Sequence, residues 1–160
     1  MEKIGKQKMS TIMDSRTGCN LVKEIDPRDL EEKRRRYRER QLHQACMDLV
    51  KTYTGKCPQL QWMIHVPNGE YRTKATAAKL KRMGVKPGVP DLICPKGCGR
   101  WRGVAIEIKV RGARLRKEQA EWMQTLAAEG WLTATVTSTK EMEECLEIYR
   151  RGQATKEVCD

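Results

Sequence analysis

The sequence of 160 residues predicts an α/β fold, a mixed four-stranded sheet flanked by helices. Stretches with helical period alternate with short stretches of strand character, in the order helix, strand, helix, strand, strand, helix, strand, helix. Two of the strand stretches, 91–94 and 103–110, are joined only by 95–102, a segment with two glycines, and so form an antiparallel hairpin. No internal repeat or low-complexity tract interrupts this order.

Residues 1–27 are polar, mixed and without a sustained period, and they read as a flexible leader. One domain is expected over 28–152, with a tail at 153–160. Asp26 or Asp29 can cap a first helix with Pro27 near its first turn, and 30–53 is rich in helix formers. Leu42, Ala45, Cys46, Leu49 and Val50 recur at intervals of three and four and make its buried stripe. A short strand is expected at 61–66, stopped by Pro67-Asn68-Gly69. The second helix covers 73–83, with Ala77, Leu80 and Met83 facing inward, and ends at Gly84. Two prolines in 85–90 stiffen the approach to Asp91. After the hairpin, 116–128 reads as a helix with Ala120, Met123, Leu126 and Ala127 inward, and 131–136 as a strand rich in β-formers. An amphipathic helix over 139–151 closes the fold on Met142, Cys145, Leu146 and Ile148. Trp62, Trp122 and Trp131 are expected in the core or at its edge.

Composition narrows the class. Lys and Arg number 32 against 21 Asp and Glu, a formal charge of +11 that suits a polyanionic partner. No apolar run approaches the length of a membrane span, and the N-terminus lacks the apolar segment of a secretory signal, so an intracellular, cytoplasmic protein is expected. Seven cysteines at irregular spacing fit reduced thiols better than a disulfide framework.

The chemistry concentrates in two stretches, Gly-Val-Pro-Asp ending at Asp91 and Val-Ala-Ile-Glu-Ile-Lys-Val over 104–110. In the second, Val104, Ile106 and Ile108 alternate with Ala105, Glu107 and Lys109, so a strand sends the aliphatic set to one face and the ionisable pair to the other. Asp91, on the neighbouring strand, can complete a hard oxygen site with Glu107 for Mg²⁺ or Mn²⁺. Lys109 beside it can orient or help deprotonate an attacking water. Together these are the parts that phosphodiester hydrolysis needs.

Pro90-Asp91 followed by Glu107-Ile108-Lys109 resembles the PD-(D/E)XK nuclease superfamily. The surroundings sharpen the likeness: Val-Pro-Asn-Gly-Glu at 66–70, Ala-Ala-Lys-Leu-Lys-Arg-Met-Gly at 77–84, Leu115-x-Lys117-x-Gln119, and Gly130-Trp131. Across 39–150 the chain is similar to the VRR-NUC branch of that superfamily. The resemblance implies a sheet of the restriction-endonuclease type and adds the backbone carbonyl of Ile108 as a metal ligand. It implies a further carboxylate on the first helix, where Glu39 stands at the matching place and Glu31 and Glu32 are its acidic neighbours. Gln119, opening the helix after the second motif, can hydrogen-bond the water or Lys109. The resemblance also implies a homodimeric, Mg²⁺-dependent endonuclease selective for branched DNA such as four-way (Holliday) junctions, as in stand-alone, phage-like members. A non-catalytic DNA-binding module that keeps the fold is the alternative, and the joint presence of Asp91, Glu107 and Lys109 speaks against it.

For DNA contact the candidates are Arg34, Arg35, Arg36 and Arg38, the densest basic run, and Arg100, Trp101 and Arg102 in the hairpin loop. His43 and His65 are expected to pack or to touch DNA. Cys94 and Cys98, with Cys57 and a histidine, make a zinc pattern that lacks a second ligand pair of matching quality.

Overall fold

The computed structural model describes residues 26–67 and 73–152. The chain divides after Arg36, so that the first turns of helix α1 (Pro27–Tyr53) belong to one unit and the remaining elements to the second. Most of the predicted leader and the tail, with Asn68 and Gly69 of the predicted turn, lie outside the described residues.

Asp26 stands just before helix α1 and bonds its first turn. The Asp26 carboxylate accepts the Arg28 N–H at 2.8 Å and its carbonyl accepts the Leu30 N–H at 3.0 Å. Pro27, which has no N–H to satisfy, suits the first helical position. Within this first unit Glu32 takes Arg35 at 2.9 Å and Arg36 at 2.8 Å, and these two guanidinium groups hold its carboxyl down to about 2.

In the second unit α1 contributes Cys46, Val50 and Tyr53 to the core, with Leu42 and Leu49 packed at its edge. The strand expected over 61–66 is largely replaced. Pro58–Trp62 forms a 3-10 turn, closed by the Met63 N–H on the Leu60 carbonyl at 3.0 Å, and strand β1 is only Ile64–His65. Residues three apart eclipse in a 3-10 turn, so Leu60 and Met63 are both buried while Trp62 is turned outward, 53% exposed rather than in the core.

Strands β2 (Leu92–Cys94), β3 (Val104–Ile108) and β4 (Leu132–Val136) complete a sheet of order β1-β2-β3-β4. The first two pairings are antiparallel and β3 with β4 is parallel, which makes the sheet mixed as predicted. Gly103 enters β3 beneath Trp131, where a Cβ would stand 2.5 Å from the indole ring and 2.6 Å from the Cys94 carbonyl oxygen. Only glycine fits there.

Helix α3 (Lys117–Ala128) packs on β3 and β4, and α4 (Thr139–Arg151) packs on β4. On α3 Met123 is buried as expected, but Ala127 is exposed and the other buried position belongs to Gln119. On α4 Tyr149 takes the deep place expected of Ile148. Its hydroxyl donates to the Lys96 carbonyl and ties the hairpin loop to the last helix. In that loop Trp101 is half-buried against the core rather than presented to solvent, with the Arg100 guanidinium 4.9 Å from its ring centroid.

Helix α2 (Lys74–Arg82) departs furthest from expectation. Thr73 caps it through the Thr76 N–H at 3.2 Å, and Gly84, at φ 90°, ends it. Yet Ala77 is exposed, Met83 is 69% exposed and Leu80 is only half-buried. Lys79, Lys81 and Arg82 crowd the single leucine, and so short a stripe cannot draw a cationic helix onto the core.

Candidate active site

Leu92 lies opposite Ile106, so the antiparallel register carries Asp91 opposite Glu107, and opposed residues share a face of the sheet. Asp91 Oδ2 accepts the Ile108 N–H at 2.9 Å, which ties this carboxylate to the strand of the second motif. Glu107 lies between two donors. Its Oε1 receives Lys109 Nζ at 2.5 Å and Gln119 Nε2 in a short hydrogen bond.

Gln119 is held in turn at its other end, where its Oε1 accepts the Arg116 N–H at 3.0 Å at the start of α3. One amide thus closes the helix terminus and reaches the strand. The sequence places Gln119 on the opening turn of the helix, but its partner is Glu107 rather than Lys109.

The second face of β3 is not wet. All five strand residues are buried, and Glu107 is 1% exposed beneath α3. Burial, and then the negative charge of Asp91, push the Glu107 carboxyl up to about 7 despite the opposing pull of Lys109 and Arg116. Its second oxygen, Oε2, is buried without a hydrogen-bond partner.

A buried carboxylate oxygen with nothing to bind, opposite a second carboxylate, is what a divalent cation would satisfy. Asp91 and Glu107 offer hard oxygen donors suited to Mg²⁺ or Mn²⁺, and the residues present therefore fit such an ion. Among the described residues no three His, Cys, Asp or Glu side chains gather closely enough to hold a metal by themselves. The carboxylates at the site are thus two, with backbone and solvent left to complete a shell. Glu39 is half-buried on α1, one turn before His43 on the same helical face, and does not join Asp91 and Glu107 in a group of three.

A pair of histidines flanks Asp91. His65 Nδ1 donates to the Asp91 carbonyl at 3.1 Å, and the Val66 N–H reaches the same oxygen at 2.9 Å. The His43 ring packs edge-on against His65 with centroids 4.3 Å apart. Burial, followed by the charge of His65, lowers the proton affinity of His43. From sequence both rings are expected as packing or DNA contacts; the fold brings His43 of α1 onto His65 of β1, which in turn bonds Asp91.

The cysteines take other partners. Cys94 Sγ lies 3.2 Å from the Gln59 carbonyl, which accepts from it, whereas Cys98 Sγ is 3.8 Å from Cys57 Sγ. The two histidines stand at Asp91 instead, so the zinc pattern is not assembled among the described residues. Of the cations expected to contact DNA, Arg100 lies over Trp101, Arg102 faces Glu129 at 3.7 Å, and Arg35 and Arg36 share Glu32. Arg34 and Arg38 lie on exposed turns of α1.

The model of the VRR-NUC domain matches residues 37–140 of this chain. A solved structure of a VRR_NUC domain protein is 29% identical in sequence and superposes with a TM-score of 0.53, over 68% of this chain and 87% of that one. No curated protein matches the chain.

Proposed function

The chain belongs to the VRR-NUC domain family, a family of nuclease type, and on that premise we propose that it is a Mg²⁺-dependent endonuclease that hydrolyses phosphodiesters of branched DNA. The observation that carries this reading is Glu107, buried, with one oxygen held by Lys109 and Gln119 and the other without a partner. An ordinary structural ion pair would use both oxygens or leave one to water.

Asp91 and Glu107, with the carbonyl of Ile108, would hold Mg²⁺ or Mn²⁺. When bound, such an ion lowers the pKa of water and offsets charge on the phosphate. Asp91 is aligned for this by the Ile108 N–H, and Glu107 by Gln119, so both carboxylates are fixed before substrate arrives. Lys109, 12% exposed at its side chain, is positioned to orient the attacking water and to stabilise charge on the phosphoryl oxygens. Glu39 would act from α1 through the outer shell, on the face that carries His43.

DNA as the substrate is supported by the family and by the charge of +11. We assign branched DNA, four-way junctions among it, and a homodimer that places two sites on opposite strands. A cytoplasmic setting is supported by the free thiols of Cys46, Cys57, Cys94, Cys98 and Cys145. No helix of the described residues is long and apolar enough to cross a membrane.

The deciding experiment incubates the purified chain with labelled duplex, flap, fork and four-way junction DNA, with Mg²⁺ and with EDTA, beside Asp91→Ala. Cleavage of branched forms that needs the metal and disappears in the variant is expected. Binding of the same DNAs with no cleavage in Mg²⁺ or Mn²⁺ would instead mean a non-catalytic module on a nuclease fold.

A further inference from the structure

Helix α2 and the segment after it enclose a cleft of about 590 Å³ that the site described above does not use. Its walls are of two kinds. Leu80, Val85 and Pro87 supply an apolar surface, and Lys81, Lys86 and Arg116 supply positive charge. The volume is that of a pocket for a molecule of nucleotide or drug size.

One wall is rigid. The Trp122 indole N–H donates to the Pro87 carbonyl at 3.0 Å, and Gly88 lies so close to α3 that a Cβ would stand 2.5 Å from the Glu118 carbonyl carbon. On the opposite wall, α2, none of the described side chains is buried. From 75 to 90 the chain carries Lys79, Lys81, Arg82 and Lys86 and no carboxylate. Arg116 joins the cleft to the reacting centre, since it opens the helix whose Gln119 holds Glu107, and its charge favours the ionised form of that carboxylate.

The charge selects a polyanion over a second copy of this chain. A two-fold contact sets a patch against itself, and here it would face four cations with the same four. The apolar wall then selects among polyanions. Duplex DNA presents phosphates outward and keeps its base faces stacked inside, so it would satisfy the cations and leave Leu80, Val85 and Pro87 wet. A nucleotide released from stacking uses both walls, its base and sugar on the apolar side and its phosphates on the cations.

We infer that this cleft binds an unpaired nucleotide of the DNA strand beside the scissile phosphate, against Leu80, Val85 and Pro87 and under Lys81, Lys86 and Arg116. The inference rests on the nuclease reading and narrows it, because branched DNAs that carry an unpaired strand become the preferred substrates within the class.

The test measures binding of the full chain, in EDTA, to a fluorescent oligothymidylate and to a duplex of equal length. Leu80→Ser combined with Val85→Ser should weaken oligothymidylate binding about tenfold or more and leave duplex binding within about twofold. Lys81→Gln with Lys86→Gln should weaken both. Thermal melts check folding, and Val85→Ser alone, at a residue 39% exposed, serves if the double variant does not fold. Equal losses on both DNAs would reduce the cleft to a phosphate track and overturn the inference. So would no loss on either, or a parent chain that does not hold oligothymidylate. A change of oligomeric state by light scattering, with DNA binding retained, would assign the cleft to a second copy and also overturn it. Because binding is read without metal, a chain that grips the oligonucleotide but cuts nothing refutes the nuclease reading, and with it the scissile phosphate, while the cleft's hold on an unpaired nucleotide stands.

Discussion

Changing Glu107 to Gln separates the electrostatic cost of this carboxylate from its chemistry. Its carboxyl rises from 4.5 to about 7 on folding, chiefly by burial. At about 1.4 kcal/mol per pH unit, the ionised side chain lowers the stability of the metal-free protein by on the order of 3 kcal/mol. Between pH 4.5 and about 7 the folded chain keeps a proton that the unfolded chain has released, so this contribution makes stability fall as pH rises through that window. Below it the penalty is absent, and above it the penalty is complete. Glutamine has no charge to desolvate and its carbonyl can still accept the Gln119 N–H, so the variant should lack this slope. We expect urea unfolding in EDTA to find Glu107→Gln near the parent at pH 4.5 and more stable by on the order of 3 kcal/mol at pH 8. Mg²⁺ should stabilise the parent more at pH 8 than at pH 5 and should hardly affect the variant, which should also lose cleavage. Identical pH dependence of stability in the two proteins would refute the reasoning, because no other group differs between them.

The remaining expectations concern α1. Glu39→Gln should raise the Mg²⁺ concentration that gives half-maximal cleavage, and a metal titration like the parent's would remove Glu39 from the site. Replacing Arg34, Arg35 and Arg36 by Gln in a Glu107→Gln background should flatten the log-log salt dependence of DNA binding in Ca²⁺ by at least about 0.9, the slope of one phosphate contact. Arg35 and Arg36 must first leave Glu32, so the flattening should fall short of three full contacts, and an unchanged slope would leave this run as a solvated helix face.

The order of elements, the mixed sheet and the juxtaposition of Asp91 with Glu107 are legible in the chain because each rests on local pattern. Alternation over 104–110 puts Glu107 and Lys109 on one face whatever packs against it, and a short hairpin loop makes the strand of Asp91 its neighbour. Nothing local says whether that face is covered. The burial of Glu107, and with it the raised proton affinity and the unpartnered oxygen, comes from α3 closing over the sheet. The same separation explains the aromatic residues. Trp62 stands between Gln61 and Met63 and is expected inside, Trp101 between two arginines and is expected outside, yet a 3-10 turn that buries Leu60 and Met63 turns the first out, and the hairpin loop tucked under α4 draws the second in. His43 and His65 meet at Asp91 although their positions in the chain are 22 apart. For α2 the periodic apolar positions predicted burial, but among the described residues no element buries Ala77, Leu80 or Met83, and the cleft left beside it exists only in three dimensions. Periodicity reports which side chains share a face; what covers the face is decided by contacts between distant segments, and those contacts set the dielectric, the hydrogen-bond partners and the proton affinities on which the chemistry depends.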